Sequence, residues 1–311
     1  THAGCGATYS DYANGYTVIN VTTGNRVQIS GSYNTESCCD FIRIYDGTGT
    51  GGTVLATYFG SGTFCFTGNF SQTITVGFTT DLSVTSTGLN ATVLYNPSAP
   101  ADPTAASATS PVICNGSSTS LTATGAVGTV YWYSGSCGGT LVGTGNPISV
   151  NPSTTTTYYA RNFNNCVFSV GCASTTVTVN PIPTVNGVSS QVKCNGSGTN
   201  LLSFTGAVSG TVFNWTNNTT SIGLSASGSG DISSFTALNS GTSPVTATIN
   251  IAPSYTNGGV TCNGTSGSTT IAVNPSGQVN DPADQVVCHN ASTSAVNFTT
   301  GNSGGTTTYA W

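Results

Sequence analysis

The sequence predicts an all-β protein: tandem antiparallel β-sandwiches, disulfide-stabilised and elongated. Three observations carry that prediction. The first is a repeat. Cys114-Asn115-Gly116-Ser117 recurs as Cys194-Asn195-Gly196-Ser197 and, altered, as Cys288-His289-Asn290-Ala291, and a tryptophan follows each copy (Trp132, Trp215, Trp311). An Asn-Pro pair closes each unit, at Asn96-Pro97, Asn180-Pro181 and Asn274-Pro275. The spacing approaches the ~100 residues of an immunoglobulin-like sandwich, enough for each unit to bury its own core. The second observation is the density of β-branched runs punctuated by Gly, Asn, Ser and Pro, with almost no helical periodicity. The third is cysteine usage: 11 cysteines with 2 histidines and no Cys-x-x-Cys pair read as disulfides of an extracytoplasmic protein rather than as a zinc site.

The elements follow in chain order. Phe41-Ile42-Arg43-Ile44-Tyr45 and Thr73-Ile74-Thr75-Val76-Gly77-Phe78 are strands of the first unit, and Asp46-Gly47 is a tight-turn dipeptide. Thr175–Val179 and Val245–Ile251 are the late strands of the next two units. Val130-Tyr131-Trp132-Tyr133, Val212-Phe213-Asn214-Trp215 and Thr308-Tyr309-Ala310-Trp311 read as one recurring central strand, its Trp packed between two sheets. A sugar-stacking Trp is the alternative, but a core role explains directly why the position repeats. Pro ends the last strand of each unit by withholding an N–H and keeps the preceding residue extended, so Asn96–Pro100 and Pro181-Ile182-Pro183 are stiff connectors. The expected domains are 1–97, 98–181, 182–275, and 276–311 as the truncated start of another repeat. Half a sandwich cannot bury its inner face, so the natural protein is expected to continue past Trp311. The absence of Met implies that the initiator and a signal peptide have been removed.

Charged residues make up 4% of the chain, with a net charge of −5, against a typical ~25%. Arg26, Arg43, Arg161 and Lys193 are the only Lys or Arg. So few cations cannot neutralise a run of phosphates or hold anionic lipid, which excludes nucleic acid and a polybasic membrane contact. No apolar run reaches the ~18–20 residues of a membrane-inserting span. Catalytic candidates are few. His2 is terminal, and His289 beside Cys288 would point to the opposite face of a strand. Asp281 and Asp284 could pair for glycoside chemistry, but beside Pro282 they read as linker. Gly47–Gly52 lacks the Gly-Lys-Ser/Thr ending of a phosphate loop. An array of modules without these constellations is expected to extend, present and bind, not to act as an enzyme.

Residues 5–95 resemble a CUB domain. The carrying residues are Cys39-Asp40-Phe41-Ile42-Arg43-Ile44-Tyr45-Asp46-Gly47, then Phe78-Thr79-Thr80-Asp81-Leu82-Ser83-Val84 and Gly88-Leu89-Asn90-Ala91. The resemblance implies a domain that binds protein or carbohydrate, often through calcium held by Asp40, Asp81 and an upstream glutamate. Ser32 stands near the expected glutamate position and the nearest acid is Glu36, so Asp40, Asp81 and Glu36, with a carbonyl near Ser83, are the candidate calcium ligands; the alternative is that the aspartates only cap turns. No other cofactor is expected.

Residues 102–180 resemble the Ig-like repeats of secreted Bacteroidota proteins, through Ile113–Ser117, Trp132–Thr140, Thr154–Ala160 and Val177–Pro181. Residues 182–275 resemble the PKD-like repeats of giant surface proteins of the same bacteria, through Phe213–Thr219, Ser221–Leu224, Gly230-Asp231-Ile232 and Pro244–Ile249. Together these resemblances imply a surface protein exported by the type IX secretion pathway, similar to gliding adhesins. It would carry a CUB-like binding head on a repeat stalk, with a carbohydrate or protein surface ligand. Self-association as the subunit of a polymeric filament, and an accessory region of a secreted hydrolase, are the alternatives.

Dividing the cysteines among these domains gives the expected bonds. One of Cys38 and Cys39 takes Cys5 and the other Cys65. Cys194 pairs with Cys262 by counting. In the first repeat Cys114–Cys137 with Cys166–Cys172, Cys114–Cys172 with Cys137–Cys166, and the remaining pairing of the four all stay open. Each complete domain is thus expected to close on itself, leaving Cys288 over.

Overall fold

The β-branched runs pair as the pattern predicts. The computed structural model describes residues 8–9, 12–21, 26–69, 73–82 and 84–311, and among them there is no α-helix and a single 3-10 turn, Thr220–Ile222. The chain divides into two compact units: residues 1–111, 119–150 and 156–177, and residues 112–118, 151–155 and 178–311.

The first unit begins with seven strands, β1 (Asn14–Asn20), β2 (Arg26–Asn34), β3 (Phe41–Asp46), β4 (Val54–Tyr58), β5 (Ser61–Asn69), β6 (Thr73–Thr79) and β7 (Gly88–Tyr95). They form two antiparallel sheets, β1-β6-β3-β4 and β5-β2-β7. Alternating apolar residues of both sheets, with Val21 just past β1, make one core of Ile19, Val21, Val27, Ile29, Ile44, Phe64 and Ile74, which follows from the period of two along a half-buried strand.

Nine strands follow: β8 (Ala105–Ala108), β9 (Val112–Cys114), β10 (Thr119–Thr124), β11 (Thr129–Ser134), β12 (Thr140–Thr144), β13 (Ile148–Val150), β14 (Thr156–Asn164), β15 (Val167–Phe168) and β16 (Ala173–Asn180). β13-β10-β8 is one sheet, and β12-β11-β14-β16 is the other, with β15 as a short hairpin partner of β14. Trp132 on β11 is fully buried, and its indole N–H donates to the Gly145 carbonyl at 3.0 Å. That bond satisfies the one polar atom the ring takes into the core.

In the second unit, β17 (Gln191–Cys194), β18 (Val212–Asn217), β19 (Ser227–Ser229), β20 (Val245–Asn257), β21 (Val260–Asn263) and β22 (Gly267–Asn274) build the sheet β17-β22-β20-β18-β19, with β21 folded back on β20. Trp215 again lies in the core, with Leu202, Phe204, Ile222, Ile249 and Ile271 among its members. Its indole N–H reaches the Gly230 carbonyl at 3.1 Å. Gly228 faces the ring so closely that an added Cβ would lie 2.2 Å from it. Two parallel pairings complete this unit: Thr178–Asn180 of β16 with β9, and β22 with β17.

Two expectations are corrected. Thr308–Trp311 is not a third central strand: residues 276–311 pair through one isolated bridge, Asn280↔Thr299, and Trp311 is 97% exposed. A strand tryptophan is buried only when a second sheet faces it, and no sheet forms there. The disulfides do not close each sequence repeat on itself. Cys38 bonds its neighbour Cys39, Cys65 bonds Cys166, Cys137 bonds Cys172, and Cys114 bonds Cys262. Cys194 is free and exposed, as is Cys288, so Cys194–Cys262 does not form. The reason is spatial. The β14–β15 and β20–β21 hairpins carry Cys166 and Cys262 to cysteines of the preceding sequence repeat, at Cα–Cα distances of 5.9 and 5.6 Å, within the reach of a disulfide. Cys5 lies outside the described residues, as does Ser83.

Candidate functional site

Asp40 enters β3 with its side chain inside the first unit, wholly buried. A carboxylate there needs donors, and among the described residues it has two. The Tyr9 hydroxyl donates to Oδ2, and the backbone N–H of Asp81 donates to Oδ1 at 3.0 Å. The Tyr9 hydroxyl in turn accepts from the Glu36 N–H at 3.3 Å, tying the β2–β3 connection to the segment before β1. Thr35 fixes that connection further: its hydroxyl accepts from the Gly60 N–H at 2.9 Å, and its own N–H donates to the Gly60 carbonyl at 2.6 Å.

These contacts bring the three acids selected from sequence together. Carboxylate oxygens of Glu36, Asp40 and Asp81 lie within 4.8 Å of one another. Glu36 is pushed above the ordinary glutamate value of 4.5, by burial first and then by the charges of Asp81 and Asp40. Its Oε2 is buried and has no hydrogen-bond partner among the described residues. The Tyr9 phenol is pushed up to about 12, by burial first and then by its bond to Asp40. Three carboxylates this close repel one another unless a proton or a cation intervenes. Calcium takes six to eight oxygens, carboxylates and carbonyls among them, so the donor set and the orphaned Oε2 suit a hard cation. A second trio, Glu36 with Cys38 and Cys39, offers no thiolate because the two sulfurs are bonded to each other.

The rim of the cluster is apolar and its backbone unusual. Leu82 and Val84, each 64% exposed, follow Asp81 on the β6–β7 connection. The Tyr12 N–H donates to the Asp81 carbonyl at 2.8 Å, and the Tyr12 ring is exposed. Tyr12 and Val84 both have positive φ, 57° and 49°; for a β-branched residue this is a strained conformation of the kind that clusters at binding sites. Sequence reasoning missed Tyr9 and Tyr12 and gave Val84 no role beyond its place in the Phe78–Val84 match. No local signal marks the two tyrosines, because their roles come from contacts across the fold.

His2 lies outside the described residues, and the other sequence candidates do not assemble. Cys288, His289, Asp281 and Asp284 are all exposed in the segment 276–311. An open cleft of about 510 Å³ in that segment is lined by Val296, Asn297, Phe298, Tyr309 and Trp311, without an acid–base pair.

Residues 100–181 match the family described as Ig-like domain, CHU_C associated. The Ig-like match covers β8 to β16, and its family is non-catalytic. With the disulfides, the Ig-like domain makes this an extracellular multidomain protein. No curated protein matches the chain. Among solved structures, an ICAM-5 D1–D4 ectodomain fragment aligns at 11% identity and TM-score 0.32, over 83% of this chain and 76% of that one. A β-glucuronidase from Ruminococcus gnavus aligns at 7% and 0.22, over 60% and 41%. One for Dictyoglomus thermophilum aligns at 10% and 0.21, over 62% and 44%. Scores this low bear on neither fold nor activity. No helix among the described residues is long and apolar enough to cross a membrane.

Proposed function

We propose that the protein is a non-enzymatic cell-surface adhesin. Its CUB-like domain, residues 1–97, is a calcium-assisted binding head, carried on Ig-like (98–181) and PKD-like (182–275) repeats and exported by the type IX pathway. One observation carries the reading: the convergence of Glu36, Asp40 and Asp81 beside a strained, exposed apolar loop. A cation bound by the three carboxylates would offset their repulsion and hold the β2–β3 and β6–β7 connections in one arrangement. Leu82, Val84 and Tyr12 would then present a fixed apolar face to a carbohydrate or protein surface. Binding at this face should depend little on salt beyond the cation itself, since the chain has few other charges to screen.

The test is a glycan and protein array probed with the full chain in calcium and in chelator. Calcium-dependent binding, lost in Asp81→Asn, is the expected result. Binding that ignores calcium removes the cation from the proposal, and no binding in either condition removes the head. A second reading, self-association into fibres, draws support from residues 276–311, where Val286 and Trp311 stand exposed without a sheet to cover them. Regular helical fibres in electron micrographs of the purified chain would favour it.

A further inference from the structure

The β20–β21 hairpin turns through Gly258 and Gly259, with φ of 57° and 77°, the two positive values a tight two-residue hairpin loop requires. Within the second unit, three residues of the parallel β9/β16 pair receive its tip. Asn180, 1% exposed, donates through Nδ2 to the carbonyls of Asn257 at 2.9 Å and Val260 at 3.2 Å, and its Oδ1 accepts from Asn257 Nδ2 at 3.0 Å. Val112 lies against the turn, so close that a Cβ added to Gly258 would sit 2.9 Å from its Cγ2. Cys114 bonds Cys262, two residues beyond the returning end of the turn. Amide, apolar contact and sulfur bridge thus form one socket, filled by one hairpin.

The same unit contains the socket a second time. In the parallel pair β17/β22, Cys194 stands opposite Asn274 as Cys114 stands opposite Asn180, and Val192 stands opposite Ala272 as Val112 stands opposite Thr178. The turn that follows is the same. Ser117 N–H donates to the Cys114 carbonyl at 2.9 Å and Ser197 N–H to that of Cys194 at 3.0 Å; Asn115 and Asn195 N–H reach the Asn180 and Asn274 carbonyls, both at 2.9 Å. Here, however, the three receiving side chains face solvent or lack partners. Cys194 is a free, exposed thiol, Val192 is 70% exposed, and the half-buried Asn274 side chain makes no hydrogen bond among the described residues.

We propose that Val192, Cys194 and Asn274 are a docking site for the hairpin tip of a further repeat of the kind formed by residues 182–275, and that Cys194 closes on that hairpin's cysteine. The occupant is identified by the filled copy. It must present two carbonyls and an amide to Asn274, a glycine over Val192, and a thiol just past the turn. The β14–β15 hairpin reaches back in a related way within the first unit, where Cys166 bonds Cys65 and the Cys166 carbonyl accepts from the Thr67 hydroxyl at 3.3 Å. Successive repeats would therefore be stapled each to the one before. In the closing step the two thiols lose two protons and two electrons, the new S–S bond forms, and a disulfide oxidant is reduced to two thiols. The site is independent of the acidic cluster and of calcium.

The test inserts a second copy of Pro181–Asn274 between Asn274 and Pro275 of the full chain. The variant is oxidised in a glutathione buffer, and its bonds are mapped by mass spectrometry without reduction. The expected map joins Cys194 of the first copy to the hairpin cysteine of the second. A free first-copy Cys194, or one bonded within its own copy, overturns the proposal.

If the enlarged chain does not fold, the original full chain with Cys288→Ser decides. It is offered the peptide Ser254–Asn263, its cysteine activated as a mixed disulfide with thionitrobenzoate. Attack by the Cys194 thiolate joins the peptide and expels the coloured thiolate, and the modified cysteine is identified by mass. The hairpin peptide is expected to react at Cys194 at least about tenfold faster than a scrambled one. Asn274→Ala and Val192→Asp should remove that preference without slowing reaction with a small disulfide reagent. Equal rates for the two peptides overturn the proposal.

Discussion

Glu36 holds its proton above the ordinary value of 4.5 because it is desolvated and faces Asp81 and Asp40. Between that value and the raised one, the folded chain binds more protons than the unfolded chain, so stability falls as pH rises through the window. The penalty is complete above the raised value and absent below the ordinary one. In calcium-free buffer, Glu36→Gln should therefore melt higher than the parent at neutral pH by scanning calorimetry, and the gain should vanish as pH falls below about 4.5. Calcium should reverse the order by stabilising only the parent. Equal melting at neutral pH without calcium would remove the like-charge account. Tyr9 acts in the same cluster through one atom. Tyr9→Phe deletes a donor to the buried Asp40 carboxylate and should cost about 1.5–3 kcal/mol in denaturant unfolding, whereas an exposed-tyrosine control, Tyr16→Phe, should cost almost nothing.

At the scale of elements, the parallel strand pairs and the hairpins matter most. Asn180 and Asn274 have the same sequence context, Asn before Pro, and the same register against a cysteine. Asn180 donates to two hairpin carbonyls and accepts from the Asn257 amide; the Asn274 side chain makes no such bond among the described residues. Asn180→Ala should cost about 1–3 kcal/mol of stability, while Asn274→Ala should stay within about 0.5 kcal/mol. Both are read from urea transitions followed by tryptophan emission. Similar costs for the two would mean that the hydrogen bonds to the hairpin contribute little. The Asn-Pro pairs were visible in sequence as strand ends, because Pro withholds a donor wherever it stands. That one of them also holds a hairpin was not visible, since the partner lies 77 residues away.

For the whole molecule, the Cys114–Cys262 bond closes a loop of 148 residues, and it constrains the unfolded chain accordingly. Cys262→Ala should lower stability by about 2–5 kcal/mol, measured against the parent under non-reducing conditions. A loss no larger than that of an exposed Ser→Ala control would mean that the bond is dispensable.

The sequence by itself determined the fold class, the runs that become strands, the buried positions of Trp132 and Trp215, and the choice of Asp40 and Asp81, which meet in the acidic cluster. Each is encoded locally, in side-chain alternation, in turn residues, or in a motif whose members keep their spacing. Only the tertiary structure decided which sulfurs meet, that Tyr9 braces Asp40, and that Thr308–Trp311 finds no sheet to enter. Counting cysteines within linear domains placed Cys194 on Cys262, yet a disulfide forms where folding brings two Cα atoms to about 4.4–6.8 Å. That distance is set by how hairpins reach across the fold, which no spacing along the chain records.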